Sequence, residues 1–446
     1  MTRSFFRFVL LFLCALLALI AVASLRAQTP GNPSAASATS TPLSLQQAEA
    51  LALKNNPQIT VAKLNALVAW QYVREARSAL LPTANVNLTG VDSEAGSRIT
   101  AGGLNNPIVF PRAAAGATVS QLLTDFGRTT NLLSSSAFRA QAEDKTSAAT
   151  AADITLAVDR AFYTALENKA LVAVAQQTID TRQNFTDRIQ ALANAKLKSD
   201  IDLSFAKVDL ARAKLLLLEA QNNFQTSLAV LSAILGYPDQ QNFQLAEPPG
   251  EYAAPAPDAQ PLILQALQQR PEIAALALQV QSAEKNSHAE HDLWRPTVSA
   301  LGVAGSTPVR DDHITPNWYG AVGVNVNIPV FNGFLYNARA KAADLQTEAA
   351  RQKLTDLRNG IARDVRIAWE ETQRAYQRLS VTQQLREQAG LALELAQQRY
   401  NLGLASIVEF SQAQLAQTEA QIADTDTRYQ YRLSQLVLTY STGSPH

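Results

Sequence analysis

From Gly333 to Tyr440 apolar residues recur at three- and four-residue steps, as in Leu354, Leu357, Ile361, Val365 and Ala368. That spacing lines one face of an α-helix. The positions between are mostly Ala, Gln, Glu and Arg, which lose little side-chain entropy in a helix. No proline interrupts the chain between Pro329 and Pro445. The pattern breaks once, at Arg399-Tyr400-Asn401-Leu402-Gly403-Leu404-Ala405-Ser406. Gly403 can take the positive φ that closes a helix, and Ser406 suits the N-cap of the next. The stretch therefore predicts a helical hairpin whose first arm, Phe334 to Leu402, is about 100 Å long at 1.5 Å per residue. An arm that long belongs to a coiled coil, a membrane span or a tube wall.

Elsewhere the period is two. Ala84, Val86 and Leu88 alternate with Asn85, Asn87 and Thr89. Val298, Ala300, Gly302 and Ala304 alternate with Thr297, Ser299 and Leu301, and Val322, Val324, Val326 and Ile328 with Gly323, Asn325 and Asn327. These are two-faced strands, and the small residues of Ala113–Leu122 give another. Before the first strand, Ser44 and Gln47 form a capping-box pair for a short helix ending at Asn55-Asn56-Pro57. A second helix carries Val61, Leu64, Val68 and Tyr72 and stops before Pro82. After Asp125-Phe126-Gly127 neither Gly nor Pro occurs until Gly236, with a break only at Lys196–Asp200.

The two halves repeat. Pro57 and Pro82 match Pro271 and Pro296 at an offset of 214 (271−57, 296−82). Beyond the strands the offset is 207, matching Asp125 with Asn332, Ser199 with Ser406 and Gly236 with Gly443 (332−125, 406−199, 443−236). The organisation read from this is a first repeat over 43–236, a Pro-rich connector over 237–261, a second repeat over 262–443 and a tail over 444–446. The first repeat has strands at about 83–91 and 113–122 and a helical hairpin at about 128–235 that turns near 196–200. The second has strands at about 297–305 and 318–329 and a hairpin at about 334–441 that turns near 401–406.

Composition narrows the function. Hydrophobic residues make up 47% of the 446, yet aromatics only 7%, so alanine carries the apolar count. Lys+Arg and Asp+Glu are both 38, which leaves no basic excess for a nucleic acid. Arg3 and Arg7 precede an apolar run from Phe8 to Val22, and small residues follow at Ala21-Val22-Ala23 and Ala27. Residues 1–27 thus read as a secretory signal peptide cleaved after Ala23 or Ala27. The run is shorter than the ~20 residues of a membrane span. Residues 28–42, rich in Pro, Ser and Thr, read as a disordered leader. Cys14, the single cysteine, lies in the signal segment, preceded by Leu11-Phe12-Leu13 without the small residue a lipidated cysteine needs. The mature chain then has no disulfide and no thiolate metal site.

Candidate chemistry is sparse. His288-Ala289-Glu290-His291-Asp292 sets two imidazoles three residues apart, with Glu284 a turn earlier, a spacing that could hold a metal. A solvated helix end before Trp294 and Pro296 is the stronger reading. No Gly-x-Ser-x-Gly motif, phosphate loop or cysteine nucleophile is present, and the single Met is the initiator. The sequence assigns no catalytic residue, cofactor or metal, and predicts a protein that is not an enzyme.

A strand with one apolar and one small or amide face suits a sheet with lipid on one side and water on the other. Four such strands leave open edges, which a bilayer forbids. Three copies would supply twelve strands and a closed barrel.

Further motifs are Leu45-Gln46-Gln47-Ala48 with Asn56-Pro57, and Leu264-Gln265-Ala266-Leu267 with Arg270-Pro271. Leu122-Leu123-Thr124-Asp125-Phe126-Gly127-Arg128 and Pro329-Val330-Phe331-Asn332-Gly333 mark strand-to-helix exits. With Arg399-Tyr400-Asn401-Leu402-Gly403 at the hairpin tip, nearly all the mature sequence resembles TolC-type outer-membrane efflux proteins. The resemblance implies a mixed fold, all-α coiled coil plus transmembrane β. It also implies a homotrimer in outer-membrane lipid, with a 12-stranded barrel above a periplasmic helical tunnel. The implied partners are a periplasmic adaptor and an inner-membrane pump, in an efflux or type I secretion system. The alternative is a periplasmic coiled-coil scaffold or adaptor without a pore, against which the duplicated strand pairs argue.

Three groups of site residues follow. Leu197, Lys198 and Ser199 hold equal repeat positions with Leu404, Ala405 and Ser406, and with Gly403 would form the adaptor-docking tip. Trp294, Trp318 and Tyr319 flank strands and would mark membrane interfaces. By resemblance, Asp202 and Glu409 stand near the tunnel aperture, and Tyr400 makes a closing tie for which Asp202 is the acceptor. Ala405 and Gln412 depart from the family's arginine tie and second acidic ring, which shifts closure toward Ile407, Val408 and Phe410. Cargo is not encoded in such walls, which act by size and charge.

Overall fold

The computed structural model describes residues 42–94, 96, 111–247, 252–309 and 317–443. The signal peptide, the leader up to Thr41, most of both strand-joining loops, 248–251 of the connector and the tail 444–446 lie outside the described residues. Helices α1 (Leu45–Asn55) and α2 (Pro57–Ser78) open the fold. Ser44 and Gln47 complete a capping box, with Gln47 N–H donating to Ser44 Oγ at 3.3 Å and Ser44 N–H to Gln47 Oε1 at 3.0 Å. At the elbow, Asn56 Oδ1 accepts the Gln58 N–H at 2.9 Å, while Asn56 Nδ2 donates to Ile234 O at 2.9 Å. A Cβ on Gly236 would lie 2.7 Å from the Asn55 carbonyl oxygen, so this left-handed position (φ +86) is closed to other residues on both counts.

Strands β1 (Thr83–Val91), β2 (Arg112–Thr124), β3 (Thr297–Val309) and β4 (Trp318–Asn327) form one antiparallel sheet in that order. The β2–β3 pairing joins the two halves, and β1 and β4 are open edges. The register gathers Val86, Leu88, Val119, Val322, Val324 and Val326 on one face and Asn85, Asn87, Thr118, Ser120, Ser299 and Asn325 on the other. On the apolar face, Val322 is 91% and Leu88 80% exposed. β3 runs past the predicted residue 305 to Val309, because a register shift opposite Ala113/Ala115 lets its pairing with β2 continue. β4 stops at Asn327, before the predicted 329, where Pro329 has no N–H to offer a ladder.

Each sheet exit feeds a long helix. α3 (Arg128–Asn194) and α7 (Leu335–Asn401) have 67 residues each, about 100 Å of helix. α4 (Asp200–Ile234) and α8 (Ile407–Ser441) return with 35 residues each. Both pairs start 207 residues apart (335−128, 407−200). Between the hairpins lie α5 (Gln260–Gln269) and α6 (Pro271–His291), which pack on α7, with α6 also against α3. Alanines such as Ala140, Ala142, Ala149, Ala340 and Ala343 are buried along these contacts, as close helix packing requires.

Two belts lie midway along the long helices. In one, Val158, Phe162, Ala165 and Leu166 of α3 meet Ala48 and Ala52 of α1, Leu228, Leu231 and Leu235 of α4, and Leu245 of the connector. Leu43 forms a parallel bridge with Leu245, its N–H donating to Gln244 O at 2.6 Å. In the other, Ile263 and Ala266 of α5 pack on Ile361 and Val365 of α7. The connector is strapped down by Trp369 Nε1 and Gln373 Nε2, which donate to Ala256 O at 2.8 and 3.0 Å, and by the Tyr431 hydroxyl on Ala253 O. Among the described residues no helix is long and apolar enough to cross a membrane.

Candidate functional site

Both hairpin turns end their long helix the same way. Leu197 N–H reaches Leu192 O at 2.8 Å and Lys196 N–H reaches Ala193 O at 2.9 Å, the paired bonds of a Schellman cap. Leu404 N–H to Arg399 O (2.8 Å) and Gly403 N–H to Tyr400 O (3.1 Å) repeat it. The left-handed residue is Gly403 (φ +76) in one turn and Lys196 (φ +57) in the other. Ser199 and Ser406 then cap the return helices by accepting the Asp202 and Glu409 N–H groups at 3.3 and 3.2 Å. Leu197 and Leu404 are 70% and 67% exposed, whereas Ala405 packs against the core behind the turn.

That core knots four helices. Ile189 of α3, Ala206 of α4, Leu393, Ala396 and Tyr400 of α7, and Ile407 and Phe410 of α8 are buried together. Phe185 lies 4.5 Å from Phe410 and 5.9 Å from Tyr400, and Tyr400 stacks on Phe410 at 5.6 Å with 17° between planes. Ile407 and Phe410 are thus buried in this core, whereas Val408 is 43% exposed. Lys198 of the first turn lies with Nζ 3.9 Å from the Tyr400 ring centroid. It bridges the two hairpins with a contact of about 0.5–1 kcal/mol at such a half-exposed site.

The Tyr400–Asp202 tie is not made. Tyr400 is 2% exposed and its hydroxyl has no hydrogen-bond partner among the described residues. The Asp202 carboxylate is turned back into its own helix cap, accepting the Ser199 N–H at 3.4 Å. Burial, and after it the negative charge of Asp202, push the Tyr400 hydroxyl up to about 12. Glu409 pairs with Arg399 at 3.1 Å, with both side chains well exposed, a contact worth under about 1 kcal/mol. The packing roles of Phe185 and Lys198 depend on which helices meet and have no signal in the sequence.

A cavity of about 370 Å3 opens behind the knot between α3, α4 and α8. Arg182, buried in its wall, donates to Gln414 O at 2.8 Å, and Ser411 donates to Asp209 at 2.6 Å.

At the opposite end, Trp294 stands in the short 3-10 turn Asp292–Trp294, its Nε1 donating to Asn337 Oδ1 at 3.2 Å and its ring edge-on to Tyr336 at 5.4 Å. Trp318 and Tyr319 start β4 on opposite faces, because side chains alternate along a strand. Trp318 shares the apolar face with Leu88 and is 69% exposed. Tyr319 lies on the amide face instead, its hydroxyl over Gly116 and Gly305. Its ring fills the space two glycines leave.

The histidine run divides among separate partners. His291 meets Asp344 at 3.1 Å and Glu284 accepts from Arg351 at 2.8 Å. Among the described residues no three His, Cys, Asp or Glu side chains converge as metal ligands.

Comparison with known proteins gives likenesses of sequence and fold. The family described as outer membrane efflux protein matches residues 50–237 and 262–444, one segment per repeat. The outer membrane protein TolC of Vibrio cholerae is 25% identical over 411 residues, 88% of this chain and 89% of its own. A probable efflux pump outer membrane protein, TtgC of Pseudomonas putida, is 23% identical over 420 residues, 90% of this chain and 82% of its own. The crystal structure of VceC from Vibrio cholerae superposes with a TM-score of 0.78 at 18% identity, covering 90% of this chain and 96% of that one.

Proposed function

The chain belongs to the outer membrane efflux protein family, and from that premise we propose that three copies close into one duct across the outer membrane. It is an outer-membrane efflux channel, which sets aside the reading of a scaffold without a pore. The observation that carries the trimer is the sheet: four strands, apolar on one face, with β1 and β4 left as edges. An unpaired edge in lipid leaves several backbone groups unsatisfied, at a cost of several kcal/mol each. Pairing β4 of one copy with β1 of the next removes every edge at twelve strands, a size that leaves an aqueous lumen between the eight-stranded and sixteen-stranded cases.

The long hairpins then line a periplasmic tunnel of twelve helices, and their turns face an adaptor that links the channel to an inner-membrane pump. The channel does no chemistry of its own; cargo moves by the pump's work. Closure rests on the apolar knot around Tyr400 and Phe410, with Asp202 and Glu409 as acids at the rim. Mass measurement of the detergent-solubilised protein should give three chains, and the same sample should conduct ions across a planar bilayer. A monomer, or a trimer without conductance, would overturn the reading.

A further inference from the structure

The belt midway along the first hairpin holds two carboxyl pairs that the channel reading does not use. Asp159 on α3 is 0% exposed, inside the core that α1, α4 and the connector build on that helix. Glu49 stands on α1, next to Ala48, which packs in the same core as Val158 and Phe162 of α3, and its carboxyl lies near enough for its charge and a shared hydrogen bond to act on Asp159. Two carboxylates cannot share a hydrogen bond unless one carries the proton. Two turns further along α3, Glu167 makes the same kind of bond with Asp426 of α8. Glu49 also lines a cavity of about 320 Å3 with Arg270, Glu272 and Tyr440. The shared proton of the first pair therefore has an exit that does not require unfolding.

The repeat shows that the pair is not a requirement of the fold. At the matching places of the second half stand Ile263 (263−49 = 214) and Arg366 (366−159 = 207). Ile263 is buried and Arg366 exposed, while Val158 and Val365 just before them are both 0% exposed. The second half packs α5 on α7 through Ile263, Ala266, Ile361 and Val365. The first half puts a carboxyl pair into the equivalent joint.

We propose that Glu49 and Asp159 form a proton-operated clasp that holds α1 against the tunnel helix α3, and that loss of the shared proton loosens this belt. The titratable and charged groups around Asp159 are Glu49 from α1, Tyr163 along α3, and Arg432 from α8 beyond Tyr163. Within this core α2, α4 and the connector contribute Ile59, Leu228, Leu231, Leu235 and Leu245, none charged. Around Glu167 the groups are Asp426 and Tyr429 of α8 and Glu247 of the connector, which accepts from Tyr429 at 3.2 Å. Burial first, and then the charge and hydrogen bond of Glu49, raise the Asp159 carboxyl from 3.8 to about 8. A carboxyl raised in the closed state binds its proton more tightly there than in the open one. The clasp is therefore fully stabilised below 3.8, weakens as pH rises from there, and has lost that stabilisation above about 8.

Amide exchange of α1 in the detergent-solubilised full chain, corrected for the intrinsic pH dependence of exchange, reads the opening directly. For one proton the opening constant of Leu45–Asn55 should rise about tenfold per pH unit, near a hundredfold from pH 5.5 to 7.5, and level off above 8. Asp159→Asn should flatten that slope, Glu49→Gln should make it level off at lower pH because only burial then raises Asp159, and Glu167→Gln should leave it in place. If Asp159→Asn fails to assemble, the earlier levelling in Glu49→Gln, at a half-buried position, decides. A flat profile in the wild type, a slope retained in Asp159→Asn, or a Glu49→Gln profile that levels off no earlier than the wild type would overturn the clasp.

Discussion

Tyr400 shows how one side chain can hold a joint without its polar group. Its ring touches Phe410, Phe185 and the Lys198 ammonium, while its hydroxyl is buried without a partner. A buried donor left unmade costs about 1–3 kcal/mol, so Tyr400→Phe should leave the resting conductance unchanged and the tip no less stable. Tyr400→Ala removes the ring and opens a cavity, at a cost of about 3–5 kcal/mol, and should raise the resting conductance. Single-channel recording separates the two; equal leakage from both variants would mean that the hydroxyl, and not the ring, keeps the tip shut. With the hydroxyl held up to about 12 by burial and by Asp202, its ionisation adds no pH dependence to the gate between pH 6 and 9. The missing tie has a local cause: Asp202 is the third residue of a capping box with Ser199, and a carboxylate drawn into its own cap is not aimed across the hairpin.

Among elements, the strands and long helices were legible in the sequence because each announces itself by period and punctuation. Val322, Val324, Val326 repeat every second residue, and the Gly403 and Ser406 signals sit where α7 ends and α8 begins. What the sequence could not show is how a row of the sheet is filled. Asn87, Gly116, Gly305 and Tyr319 are register partners in turn across four strands, yet they span 232 positions of the chain (319−87). Only the pairing reveals that Tyr319 lies over glycine. The same holds for Glu49 and Asp159, and for Phe185 with Tyr400: each is ordinary in its own helix and informative only beside its partner. The glycine row gives a sharp test. A Cβ at Gly305 would collide with the Tyr319 ring and lie 2.7 Å from the Ala115 carbonyl, whereas one at Gly302 meets nothing within 4 Å. Gly305→Ala should lower the heat stability of the assembled channel, by about 1–3 kcal/mol, and Gly302→Ala should not. Equal melting of the two would mean that the Tyr319 packing does not constrain the sheet.

At the scale of the whole molecule, the two ends of each long hairpin face different demands, and this separates conduction from coupling. The sheet end carries exposed apolar side chains on β4 and leaves β1 and β4 as edges; the tip end carries Leu197 and Leu404 outward from turns that are themselves complete. Their Schellman bonds and serine caps satisfy the helix termini within the chain, so the exposed leucines contribute little to the fold behind them. Apolar side chains presented this way by finished turns suit a partner's helical tips, since burying them removes water from hydrocarbon at about 25 cal/mol per Å2 without desolvating charge. Gly403 and Ala405 are poorer probes of that contact, the first because its φ of +76 strains any replacement and the second because it packs on the tip core. The double variant Leu197→Asp, Leu404→Asp should therefore keep the trimer mass and the bilayer conductance of the wild type while losing efflux in cells. The cost arises only on docking, where two added carboxylates would have to be buried against an apolar partner. Efflux retained at normal protein levels would place the adaptor contact elsewhere, and conductance lost with it would mean that the tip leucines hold the channel together.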